Sequence, residues 1–84
     1  MFFVYILKCR DGTFYTGIAK DLEKRLEVHM SGKGSKYVRT RRPFKLVYSE
    51  KAESKSAAMK RENQIKQMSR TEKLDFLNRA EQYQ

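Results

Sequence analysis

The sequence holds one cysteine and one histidine. With no second cysteine, no disulfide can close within the chain. The lone thiol, Cys9, lies in an apolar run, where it behaves as a small core hydrophobe, and a reducing cytosol fits that usage best. One histidine and one cysteine cannot supply a zinc site of the usual kind. Long hydrophobic runs are missing as well. The N-terminal run MFFVYIL has no basic segment before it and is closed by Lys8, so it suits neither a signal peptide nor a membrane span and reads as a strand. Phosphate-loop chemistry lacks its residues too: Gly12 and Gly17 have the right spacing, but Ile18 and Ala19 stand where lysine and a hydroxyl residue are needed, and Gly32-Lys33-Gly34-Ser35 lacks the spacing. No nucleophile-elbow pattern accompanies His29, which excludes hydrolases of that design. Finally, no acidic residue occurs between Glu27 and Glu50.

That last gap shows where the charge of +9, from 19 Lys and Arg against 10 Asp and Glu, is concentrated. The acid-free stretch carries Lys33, Lys36, Arg39, Arg41, Arg42 and Lys45, with Tyr37 among them and Gly32 and Gly34 loosening the chain. It reads as a mobile basic loop suited to phosphates, and the expected partner is a polyanion. A solvated basic surface that serves solubility is the alternative. Acidic membrane fits poorly, because the stretch is not an amphipathic helix with bulky apolar residues opposite its charges. No obligate protein partner can be inferred. The 84 residues are expected to form one domain spanning residues 1–84, able to bury roughly 60 to 65% of the unfolded surface without metals or disulfides.

Phe2 to Cys9 and Thr13 to Ile18 flank a turn signal and read as a β-hairpin. Asp21 can cap a helix running to Ser31, with Leu22, Leu26 and Met30 as its apolar stripe and Gly32 just past its end. After the basic loop and Pro43, Phe44 to Ser49 reads as a third strand. Ser54 or Ser56 can open a helix reaching about Met68, and Ser69-Arg70-Thr71-Glu72 matches a capping box for a further helix containing Leu74 and Leu77. The expected fold is α+β, a small three-stranded antiparallel sheet flanked by helices in the order ββαβαα.

The hairpin register decides whether a site exists. A two-residue Asp11-Gly12 loop would place Tyr5 and Tyr15 on opposite faces of the sheet. A three-residue loop, Arg10-Asp11-Gly12 with Gly12 left-handed, would set Leu7 opposite Tyr15 and Tyr5 opposite Gly17, so that both phenols share a face beside a residue with no side chain. Arg25 and His29 stack one turn apart at the border of the first helix's buried face. Ala58, Glu62, Ile65 and Ser69 follow the helical period, which puts a carboxylate in a core-facing stripe. Such a group needs a partner or a metal, unless Glu62 simply pairs with Lys66.

In this order and on these elements, Tyr5, Tyr15, Gly17, Arg25 and Glu62 resemble the GIY-YIG nuclease superfamily. Val4-Tyr5-Ile6 and Tyr15-Thr16-Gly17 stand for its two tripeptides. The likeness extends along the chain and is similar to that of small stand-alone bacterial members, with a basic loop ending in Arg-Arg-Pro and a late Arg61-Glu62 followed by Ile65-Lys66. The resemblance implies hydrolysis of nucleic-acid phosphodiesters, DNA being favoured over RNA, with one divalent ion, Mg²⁺ or Mn²⁺. Glu62 would be the metal ligand, Arg25 would hold the phosphate, Tyr5 and Tyr15 would position or activate water, Gly17 would keep the site open, and His29 would be an additional active-site histidine. The chain departs from the pattern at Val4, at Ile18 where some members have lysine, and at Leu74 and Asp75 where many have asparagine. The alternative is a module that keeps the fold, binds nucleic acid through its basic loop, residues 32–45, and cleaves little or nothing.

Overall fold

The computed structural model describes residues 1–82. Its strands are β1 (Phe2–Cys9), β2 (Phe14–Ala19) and β3 (Phe44–Ala52), and its helices are α1 (Leu22–Met30), α2 (Lys36–Arg39), α3 (Lys55–Lys66) and α4 (Arg70–Gln82). The sheet is antiparallel in the order β2-β1-β3, which leaves β2 and β3 as edges. The expected α+β class and element order hold, with a four-residue helix added and β3 continuing to Ala52.

The hairpin takes the three-residue loop. The Cys9 amide donates to the Thr13 carbonyl at 2.8 Å, the Gly12 amide donates to Cys9 at 2.9 Å, and Gly12 is left-handed at φ +84°. The Asp11 carboxylate fixes the turn by accepting from the Thr13 amide at 3.1 Å and its hydroxyl at 2.6 Å. Leu7 therefore faces Tyr15, and Tyr5 faces Gly17.

Side-chain alternation along β1 divides the core in two. Val4 and Ile6 pack with Ala58 and Ile65 of α3, and with Phe76 and Leu77 of α4. Tyr5 and Leu7 point the other way, toward Val38 of α2 and toward Leu22 and Leu26 of α1. The helix starts follow their caps. Asp21 accepts from the Lys24 amide and Ser54 from the Ala57 amide, each at 3.1 Å, while Ser69 and Glu72 form the reciprocal capping box at 2.9 and 3.1 Å.

Two expectations are corrected. Met30 does not complete the buried stripe of α1, since it is 48% exposed; His29, 1% exposed, takes that place. Leu22, Leu26 and His29 keep the i, i+4, i+7 period of a helix, from which a strict four-residue spacing drifts. The basic stretch is also not a loop throughout. Ser35 caps α2 by accepting from the Tyr37 amide at 3.1 Å, and Val38 is wholly buried, which pins the segment onto the sheet. Among the described residues no helix is long and apolar enough to cross a membrane.

Candidate active site

Tyr5 comes from the central strand, is fully buried, and has its hydroxyl 2.8 Å from Nε2 of His29 on α1. Gly17 explains why the phenol fits. A Cβ at that position would stand 2.5 Å from Tyr5 Oη, 2.7 Å from its Cζ and 3.2 Å from a ring carbon of Tyr15. Tyr15 shares the face, its ring centroid 6.4 Å from Tyr5 and 5.4 Å from His29, and Phe44 closes the far side of the imidazole at 6.2 Å. Tyr15 is only partly buried and lies beside Tyr37, whose ring is covered by the Arg41 guanidinium at 3.8 Å.

Gly34 was not singled out from the sequence. A Cβ there would lie 2.6 Å from Nδ1 of His29, so this glycine gives the imidazole its room, and Nδ1 itself is buried without a hydrogen-bond partner. The available signal was the second glycine of Gly32-Lys33-Gly34. Only Gly32 has a positive φ, so the other needs a different reason.

Burial pushes the Tyr5 phenol above its usual pKa. The Arg25 guanidinium, interacting with the hydroxyl, pulls the other way, while Tyr15 and Glu62 add to the rise. Burial, with Arg25 second, lowers His29 below its usual value. Arg25 is exposed on α1, one turn from His29, and the charges of Arg25 and Glu62 both reach the Tyr5 hydroxyl.

Glu62 approaches from the other side of the sheet. Ala58 and Ile65 on its stripe are buried, as the period required, and its own side chain keeps 21% exposure with Oε2 3.3 Å from Lys66 Nζ. The helix is therefore not rotated away from the expected stripe, and Glu62 pairs with Lys66 at its partly exposed margin. On the neighbouring face of α3, Arg61 holds Glu50 of β3 at 2.8 Å. Among the described residues no group of three His, Cys, Asp or Glu side chains gathers for a metal. The available donor is one partly exposed carboxylate. That fits Mg²⁺ or Mn²⁺, which keep most of their waters, and does not fit zinc.

The basic residues separate into two kinds. Lys33, Lys36, Arg39 and Lys45 are exposed. Arg41 is tied to Asp11 at 2.9 Å and to the Tyr37 carbonyl at 3.1 Å; Arg42 donates to the Met30 carbonyl at 2.7 Å and the Arg39 carbonyl at 3.0 Å. Arg42 thus caps the C-terminal end of α1, where a cation suits the helix dipole. Tyr37 packs inward on Tyr15.

A hairpin carrying two phenols on one face, an arginine helix and a later glutamate helix define a GIY-YIG catalytic domain, whose sequence profile matches residues 1–75. The chain belongs to the GIY-YIG family, a family of nucleases that act on nucleic acid and generally use a divalent metal. It is 51% identical over 76 residues to a UPF0213 protein of Staphylococcus saprophyticus, covering 90% of this chain and 93% of that protein. It is 56% identical over 75 residues to a UPF0213 protein of Staphylococcus aureus, covering 89% and 92%. Among solved structures it is similar to the solution NMR structure of a UPF0213 protein from Bacillus halodurans, with 44% identity and a TM-score of 0.61, covering 93% of this chain and 84% of that one.

Proposed function

We propose that this protein is an endonuclease that hydrolyses phosphodiester bonds of DNA, with Mg²⁺ or Mn²⁺ held by Glu62 and the scissile phosphate held by Arg25. One observation carries the reading. The buried Tyr5 hydroxyl is hydrogen-bonded to His29, and the charges of Arg25 and Glu62 both act on it, so residues of β1, α1 and α3 are electrostatically coupled at one phenol.

Hydrolysis adds negative charge to the non-bridging oxygens, and the forked guanidinium of Arg25 matches that change better than it matches the ground state. A hard cation, when bound, adds Lewis-acid neutralisation of the same charge. The proton path follows from the two pKa shifts. Tyr5 stays protonated at neutral pH and His29 stays neutral. A proton leaving the attacking water passes to Tyr5 Oη as the proton of Tyr5 passes to His29 Nε2, and the imidazolium returns it to solvent after the product leaves. Arg25 interacts with the phenol, and its engagement with a phosphate would free the hydroxyl for the relay. Tyr15, half-exposed beside it, orients the water, and Gly17 leaves it space.

The test is Glu62→Ala assayed with a labelled panel of duplex, branched and single-stranded DNA and RNA. Metal-dependent cleavage should fall at least about a hundredfold, since a cation of this kind is worth several kcal/mol, while binding persists. If the unaltered protein nicks none of these substrates with Mg²⁺ or Mn²⁺, a binding module replaces the nuclease.

A further inference from the structure

Two clefts open on either side of Gly17, and β2 lines both. The first, about 460 Å³, is bordered by Ile18, Ala19 and Lys20 of the strand's end, and by Lys24, Arg25 and Val28 of α1. The second, about 310 Å³, is bordered by Phe14, Tyr15 and Thr16, with Tyr37, Lys66 and Lys73 opposite. Between them lies the glycine whose missing side chain makes room for the Tyr5 phenol. We infer that the substrate strand runs along the free edge of β2, with the scissile phosphate at Gly17, one neighbouring nucleotide in the cleft of Lys20 and Lys24, and the other in the cleft of Lys66 and Lys73.

Three features support this path, which rests on the nuclease reading for its central phosphate. Charge is the first: each cleft has two lysines, and among the described residues Lys20, Lys24 and Lys73 make no ion pair. The first cleft's carboxylate, Asp21, is occupied in capping α1. The second is an unused polar group. Thr16 is 3% exposed, lines the second cleft, and has a hydroxyl with no partner, a cost that a ligand oxygen would relieve. The third is length. From Tyr15 to Ala19 the strand advances roughly 14 Å, a span that takes a nucleotide on each side of the central phosphate. The bulk of the second cleft is aromatic, from Phe14, Tyr15 and Tyr37, which suits a sugar or base edge next to the lysine-held phosphate. Arg70 donates to the Gly12 carbonyl at 3.0 Å and lies over Phe14, so the start of α4 is fixed to the hairpin and holds Lys73 there.

The experiment pairs protein changes with substrate changes. Lys20→Ala/Lys24→Ala, Lys73→Ala and, as a control on the opposite sheet edge, Lys51→Ala are compared on a DNA strand and on versions shortened from the 5′ or 3′ side of the cleaved bond. At 0.1 M salt each lost lysine contact should weaken binding roughly five- to eightfold and reduce the salt slope by about 0.7 to 0.9. The loss should appear in KM more than in kcat. The first cleft's variant should lose its defect when the strand is shortened on one side, and Lys73→Ala when it is shortened on the other; Lys51→Ala should show none. Defects that ignore the side of truncation, or that Lys51→Ala shares, overturn the path. Binding is measured in EDTA and cleavage with Mg²⁺ or Mn²⁺: lysine-dependent binding in EDTA with no cleavage once either ion is supplied would refute the nuclease reading and keep the strand path, whereas metal-dependent cleavage indifferent to these lysines would do the reverse.

Discussion

Replacing Gly17 with alanine adds one methyl group at the centre of the site. That methyl would stand about 0.9 Å inside the 3.4 Å at which ordinary contact with Tyr5 Oη begins, and it also overlaps Cζ. Tyr5 is wholly enclosed, so its ring cannot swing outward, and either the phenol or β2 must move. Overpacking of this kind costs about 1–3 kcal/mol. A phenol displaced from His29 leaves two buried polar groups without partners, adding about 1–3 kcal/mol. Because β2 is an edge strand that can yield outward, about 2–3 kcal/mol is the expected total. For a domain this small that lowers Tm by roughly 10–20 °C.

The control is Gly12→Ala. It places a methyl in open space at φ +84°, so it carries the left-handed backbone cost of about 1–2 kcal/mol but leaves Tyr5 alone. Thermal unfolding followed by circular dichroism, together with the cleavage assay, separates the two. Gly17→Ala should lose more stability and nearly all activity; Gly12→Ala should lose less stability and keep its activity. A Gly17→Ala protein no less stable than Gly12→Ala, with the Tyr5–His29 bond intact by NMR, would refute the close-fit argument.

The depressed pKa of His29 makes stability fall on acidification. Because the unfolded chain binds the proton more readily, the loss begins as pH drops through about 6.5 and continues toward the lower folded value; His29→Gln should flatten that part of a Tm-versus-pH curve, and the acid limb of cleavage should lie below about 6.5 in the unaltered protein. Gly34→Ala should press on Nδ1 of His29, cost about 1–3 kcal/mol, and shift the imidazole ¹⁵N resonances, whereas unchanged resonances would mean that the backbone at Gly34 yields instead.

The hairpin's two registers were both legible in the sequence, since Arg10-Asp11-Gly12 permits either. Asp11 decides between them, because its carboxylate holds Thr13 through two hydrogen bonds and favours the longer loop. The helix starts could be read at Asp21 and Ser69, whose caps depend on local spacing alone. His29 could not be placed so readily. A polar residue on a leucine helix reads as a border position until a phenol from a distant strand is found to satisfy it. The basic stretch concealed its short helix for a similar reason: Val38 is one apolar residue among cations, and only the sheet beneath it shows that it is an anchor. Arg41 and Arg42, read from the sequence as candidate phosphate ligands, also hold Asp11, Tyr37, Met30 and Arg39 through their guanidinium groups. Charge counted along a sequence does not distinguish a cation that caps a helix from one that meets solvent.

The sheet order explains where the candidate site lies. A central strand is covered on both faces, so a phenol on β1 can persist only with a buried partner, and His29 supplies it at 2.8 Å. A buried pair cannot by itself meet a macromolecular substrate. Access has to come past an edge, and β2 is the edge next to Tyr5. There Gly17 removes the side chain that would intervene, and the charges of Arg25 on α1 and Glu62 on α3 act on the phenol. Exposure rises outward in steps, from Tyr5 through Tyr15 to Arg25. The inner groups are shielded from solvent while the outermost is exposed, as the proposed phosphate-binding role of Arg25 requires. Phenylalanine at position 5 would fill the strand without needing His29 as a partner, although its Cζ would still require Gly17; the hydroxyl is therefore the feature that packing alone does not require.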